Sequence, residues 1–97
     1  MPASNDVIRQ LRSLKKELAE KYDVKEISLF GSVARGEEDS RSDIDLLVEF
    51  GDKADLITYI GLWQFLEDTF GTRVDLVSKR ALDGRMREKV MRDLVTV

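Results

Sequence analysis

The sequence contains no cysteine and no histidine among its 97 residues. Without cysteine there is no disulfide framework, no thiolate zinc site and no cysteine nucleophile. Without histidine the commonest general base is missing, so Ser-His and Cys-His machinery is excluded. Any metal must be held by oxygen ligands, which favours Mg²⁺, Mn²⁺ or Ca²⁺. Proline occurs once, at Pro2, so nothing interrupts the elements that follow. No apolar run approaches the roughly 20 residues of a membrane span, and the first residues lack an apolar signal segment. The expectation is a soluble cytoplasmic protein.

Hydrophobic residues make up 42% of the chain and charged residues 36%, which argues for a small core under a wet surface. At 97 residues the expectation is a single domain, residues 1–97. The formal net charge of −3 conceals an asymmetry. Residues 37–56 carry eight acids against Arg41 and Lys53, whereas residues 78–97 carry six bases against three acids. The plain reading is two solvated surfaces of opposite sign. The alternative is an acidic metal-binding centre beside a basic helix suited to a phosphate-bearing or acidic partner.

Residues 5–22 place Val7, Leu11, Leu14, Leu18 and Tyr22 at helical spacing, with Ser4 or Asn5 as the cap. Residues 25–30 alternate as a strand that stops at Gly31. Ser32 is expected to cap a short turn over Val33-Ala34-Arg35, closed by Gly36, and residues 37–42 form an acidic loop. Residues 43–50 form the next strand, with Ile44, Leu46 and Val48 on one face and Asp43, Asp45, Leu47 and Glu49 on the other. A helix over 55–70 is expected to use Leu56, Ile60, Trp63 and Phe70 as its core face, with Gly71 as the stop. Residues 73–77 read as a third strand with Asp75 opposite Val74 and Leu76. A last helix over 80–95 is expected to rest on Leu82, Met86, Val90 and Leu94. The order is α-β-β-α-β-α, an α/β layer with helices over a short sheet.

Chemistry concentrates in three places. Eleven aspartates in this chain make about one chance D-x-D expected, so Asp43-Ile44-Asp45 alone is weak. On a strand, however, the two carboxylates share a face. At about 5 Å and an effective dielectric near 20 they repel by roughly 3 kcal/mol, and a divalent cation between them turns that repulsion into a site. Asp75 adds a third acid from another short strand. Gly31-Ser32, at the end of the first strand, lets backbone approach a ligand and offers a hydroxyl and amide donors to an anion. The span Gly31 to Gly36 is no P-loop, because Glu37 stands where lysine is needed, and no G-x-G-x-x-G occurs. Anion donors beside three acids point to metal-dependent phosphoryl-type chemistry, which requires no histidine.

These residues resemble a known family. Gly31-Ser32-x-x-Arg35-Gly36-Glu37, then Ser42-Asp43-Ile44-Asp45-Leu46-Leu47-Val48, then Val74-Asp75-Leu76-Val77 are similar to the minimal nucleotidyltransferases. These are small domains of the DNA-polymerase-beta-like superfamily, best known as antitoxins of HEPN/MNT toxin–antitoxin pairs. The resemblance covers about residues 5–97. It implies an α+β nucleotidyltransferase fold with a short mixed sheet. It implies that Gly31 and Ser32 hold a nucleoside triphosphate and that Asp43 and Asp45 carry the metals, two Mg²⁺ or Mn²⁺ ions. It makes Asp75 the third carboxylate, assisting metal binding and deprotonating the acceptor hydroxyl. Arg35 contacts phosphate or bridges to the acidic loop; Ser42 positions the second strand or touches phosphate.

The implied reaction is attack of a hydroxyl on the α-phosphate of ATP, with pyrophosphate leaving. The implied acceptor is a hydroxyl of a partner protein, notably a tyrosine on a HEPN toxin. The alternative is a binding module that neutralises a toxin by complex formation. Either reading admits homo- or hetero-oligomers. Tyr59, Trp63 and Phe65 serve either the core or such a partner, and the basic residues Arg85, Arg87, Lys89 and Arg92 either a solvated face or docking to an acidic partner or RNA. The acidic net charge and 7% aromatic content count against nucleic-acid binding as the main role.

Overall fold

The computed structural model describes residues 4–36 and 43–97. Helix α1 runs over Ser4–Tyr22, strand β1 over Val24–Phe30 and the single-turn helix α2 over Gly31–Ala34. Strand β2 spans Ile44–Phe50, helix α3 Leu56–Phe70 and strand β3 Val74–Ser78. Helix α4 (Gly84–Arg92) and a short strand β4 (Val95–Thr96) follow a 3-10 turn at Lys79–Ala81. The strands form one sheet in the order β3-β2-β1-β4. The β1–β2 and β1–β4 pairs are antiparallel, and β2–β3 is parallel, joined through α3 as a βαβ unit. The sheet is therefore mixed, with helices packed on it.

The period-2 pattern assigns each strand residue to a face. Ile27 and Leu29 of β1, Ile44, Leu46 and Val48 of β2, and Val74 and Leu76 of β3 are buried in one cluster with Val7, Leu11 and Leu18 of α1 and Leu62 and Leu66 of α3. Burying each such side chain contributes about 1.5–3 kcal/mol. The opposite face holds a smaller cluster in which Leu47 and Val77 meet Val90 of α4, with Phe30, Leu82 and Leu94 against it. Asp45 and Asp75 belong to this second face by alternation. Its β2 and β3 positions are thus acidic early in each strand and apolar two residues later. Among the described residues no helix is long and apolar enough to cross a membrane.

Three expectations from the sequence require correction. The core face of α3 is Leu62 and Leu66, with Tyr59, Phe65 and Phe70 partly buried. Leu56 is 71% exposed, Ile60 47% and Trp63 41%. Apolar residues occur all round this helix, so spacing alone does not select the inward stripe. The last helix is shorter than 80–95. Asp83 caps it by accepting a hydrogen bond from the Met86 amide at 2.9 Å, and Met86 itself is 44% exposed. Beyond α4 the chain extends and Val95 pairs with Leu29, adding a strand that two residues cannot announce through alternation. Finally, α2 starts at Gly31 with Phe30 as its N-cap residue and no side-chain cap, so Ser32 lies inside the turn rather than capping it. Ser4 and Asn5, the two caps expected for α1, likewise both lie within that helix.

Side chains of α3 secure the edge strand β3. The Tyr59 hydroxyl donates to the Leu76 carbonyl, and the Trp63 indole N–H donates to the Val74 carbonyl at 2.8 Å. Glu67 accepts from the Val74 amide at 2.9 Å. Residues 59, 63 and 67 are spaced by four, so they form one stripe along the helix. Tyr59 and Trp63, read from sequence as core or partner contacts, thus hold β3 in place.

Candidate active site

The site is assembled where β1 ends and β2 and β3 begin. Phe30 pairs with Asp45 across the antiparallel ladder, and Asp45 pairs with Asp75 across the parallel one. The last residue of β1 and the two carboxylates therefore lie side by side across three strands. The chain turns at Gly31 immediately beyond Phe30, with φ of +77°, a conformation that favours glycine. A Cβ at position 31 would lie 2.1 Å from Oδ2 of Asp45, so the missing side chain also makes room for that carboxylate.

These groups share a cleft of about 310 Å³. Gly31, Ser32 and Arg35 form one wall, and Asp45 and Asp75 the floor. Met86, Lys89, Val90 and Asp93 of the α4 region form the other wall. Arg35 donates from Nη1 to Oδ2 of Asp93 at 2.7 Å, tying the turn after β1 to the end of α4. The acidic loop at 37–42, to which a bridge from Arg35 was expected, lies outside the described residues. Asp43 immediately precedes β2 and is half-buried; it does not wall the cleft, but its charge acts on Asp45. Ser42 lies outside the described residues.

The Asp45 carboxyl is pushed up from its ordinary 3.8 to about 6. Burial is the largest cause, followed by the negative charges of Asp75 and Asp43 and a hydrogen bond with Asp75; Arg35 opposes the shift. The protein thus holds negative charge together that it does not itself neutralise. An all-oxygen donor set with such a deficit suits a hard divalent cation. Among the described residues no group of three or more acidic side chains is gathered so as to hold a metal ion by itself. Mg²⁺ commonly takes only one or two carboxylates and completes its shell with water and substrate phosphates, so an open pair is a fitting geometry.

Two wall residues, Lys89 and Asp93, were not singled out from sequence as part of the site. Lys89 was read only as one charge of a basic helix. The available signal was its position three residues after Met86 and one before the core residue Val90, which places it toward the cleft once the start of α4 is known.

Comparison with known proteins decides the family. The profile of the nucleotidyltransferase domain family matches residues 11–96. The chain belongs to the nucleotidyltransferase domain family, and its enzyme class is nucleotidyltransferase. A curated relative, protein adenylyltransferase MntA of Thermococcus cleftensis, is 44% identical over 87 residues, covering 90% of this chain and 88% of the relative. A solved structure of a candidate minimal nucleotidyltransferase superposes with a TM-score of 0.81 at 36% identity, covering 99% of this chain and 97% of the other. The tri-AMPylated Shewanella oneidensis HEPN toxin in complex with its MNT antitoxin matches with a TM-score of 0.60 at 28% identity, covering 96% of this chain and 66% of that one. The resemblance read from Gly31-Ser32, Asp43-Ile44-Asp45 and Asp75 thus agrees with whole-chain similarity to minimal nucleotidyltransferases.

Proposed function

We propose that the chain is a metal-dependent protein adenylyltransferase that moves AMP from ATP to a hydroxyl of a HEPN-type toxin and so acts as its antitoxin in the cytoplasm. The observation that carries this reading is the register pairing of Asp45 with Asp75 beside the Gly31 turn, in one open cleft. The relatives support the chemistry: one is named a protein adenylyltransferase, and another is an MNT antitoxin bound to an AMPylated HEPN toxin.

The acceptor oxygen attacks the α-phosphorus in line, a P–O bond forms, the bond to the β-phosphate breaks and pyrophosphate leaves. Gly31 and Ser32 bind and orient the phosphates where the close backbone approach permits contact. Asp75 accepts the proton of the acceptor hydroxyl at a carboxylate oxygen. Asp43, Asp45 and Asp75, with phosphate oxygens, would hold two Mg²⁺ or Mn²⁺ ions, which supply Lewis-acid polarisation of the phosphate and a more acidic acceptor hydroxyl.

The test uses ATP labelled at the α-phosphate, Mg²⁺ and a HEPN-type partner, with wild type or the Asp43→Asn/Asp45→Asn double variant. Label on the partner with wild type alone is the expected result. Label transferred equally by the double variant would overturn the site. A stable complex without label would make the chain a binding module instead.

A further inference from the structure

Of the four cations of α4 (Arg85, Arg87, Lys89 and Arg92), Lys89 lines the cleft that holds Asp45 and Asp75. Residues 86, 89, 90 and 93 recur at helical spacing, so α4 presents one face to the cleft. Val90 is buried and anchors that face to Leu47 and Val77. The other cation of the cleft is Arg35, and Asp93, on the same α4 face, holds it at 2.7 Å. Lys89 makes no ion pair among the described residues. The cleft therefore contains one cation tied to a counter-ion within it and one exposed cation without an ion pair.

We propose that Lys89 is a phosphate-binding residue that reaches across the cleft to the triphosphate of the bound nucleotide, facing the Gly31-Ser32 turn from the opposite wall. The inference rests on the nucleotidyltransferase reading and deepens it: α4 becomes the second half of the nucleotide site. Its other cations remain a solvated face. A flexible ammonium suits this place, since a point charge follows the phosphates without requiring the planar two-oxygen match of arginine.

The experiment is calorimetric titration of the full chain with ATP in the presence of Mg²⁺, for wild type, Lys89→Ala, Lys89→Arg and Arg87→Ala. Lys89 is exposed, so the alanine variant is expected to fold, and circular-dichroism melting checks that it does. Loss of a charge-assisted contact weakens binding by about ten- to a hundredfold. Lys89→Ala is expected to show that loss, Lys89→Arg to recover part of it, and Arg87→Ala to stay within about twofold of wild type, as screening predicts for an exposed charge that does not line the cleft. Equal weakening in Lys89→Ala and Arg87→Ala would overturn the proposal, because it would mean a diffuse field rather than a contact. Unchanged affinity in Lys89→Ala would also overturn it. A wild-type chain that takes up no ATP would instead strike the nucleotidyltransferase reading itself, and this proposal with it.

Discussion

Oδ2 of Asp45 occupies the space that a side chain at position 31 would need, 2.1 Å from the Cβ that Gly31 lacks. The turn after β1 and the carboxylate on β2 are fitted to each other through an absence. Gly31→Ala is therefore opposed twice. The left-handed backbone costs an alanine roughly 1–2 kcal/mol, and the methyl must displace Asp45 from its place beside Asp75. The expected result is a lower melting temperature together with an adenylyl-transfer rate down by at least tenfold. A variant that melts early but retains wild-type transfer at low temperature would show that Asp45 need not stand there.

Asp45→Asn separates stability from activity. The folded-state pKa of Asp45 lies above its ordinary 3.8, at about 6, so the metal-free fold binds this proton more tightly than the unfolded chain does. The stabilisation is full below 3.8 and is lost as pH rises through about 6. Near neutral pH the ionised carboxylate therefore opposes folding, and asparagine removes the charge that is repelled. In metal-free buffer at pH 7.5 the variant is expected to melt above wild type while losing transfer activity. A lower melting temperature than wild type would contradict the electrostatic origin of the shift.

Tyr59→Phe tests the lock on β3. Deleting the hydroxyl leaves the Leu76 carbonyl without that donor, at a cost of about 1 kcal/mol. Burial, and then the charge of Asp75, hold the Tyr59 phenol above its usual 10. The unfolded chain therefore ionises first as pH rises, and this group withdraws stability above pH 10. Denaturant midpoints measured across alkaline pH should fall more steeply in wild type than in the Phe variant. Parallel slopes would remove Tyr59 from the account.

The legible parts of the fold were those with a long period. Val7, Leu11 and Leu18 identify the inward stripe of α1, and Ile44, Leu46 and Val48 the inward face of β2, because most of the residues between them are polar, with Leu47 and Ile8 among the exceptions. In α3 the pattern failed: Leu56, Ile57, Leu62 and Leu66 are equally apolar, and only packing separates the exposed pair from the buried pair. The C-terminal part failed for another reason. Leu82, Val90 and Leu94 lie on one cluster, as a helix would place them, but Leu82 and Leu94 sit outside α4. The three aspartates could be named from residue type and strand position. That Asp45 and Asp75 are register partners depends on β2–β3 pairing, which nothing local encodes, and Lys89 joins the cleft only because α4 crosses that face.

The covering of β3 by Tyr59, Trp63 and Glu67 has a consequence for assembly. An open strand edge is a template on which a foreign strand can add. Here one end of the sheet is already spoken for by side chains of α3, and the other finishes in the two residues of β4. The sheet is poorly suited to growing across a molecular boundary. A second chain that meets this one is steered toward helix surfaces and the mouth of the cleft, where the proposed transfer requires its hydroxyl to arrive.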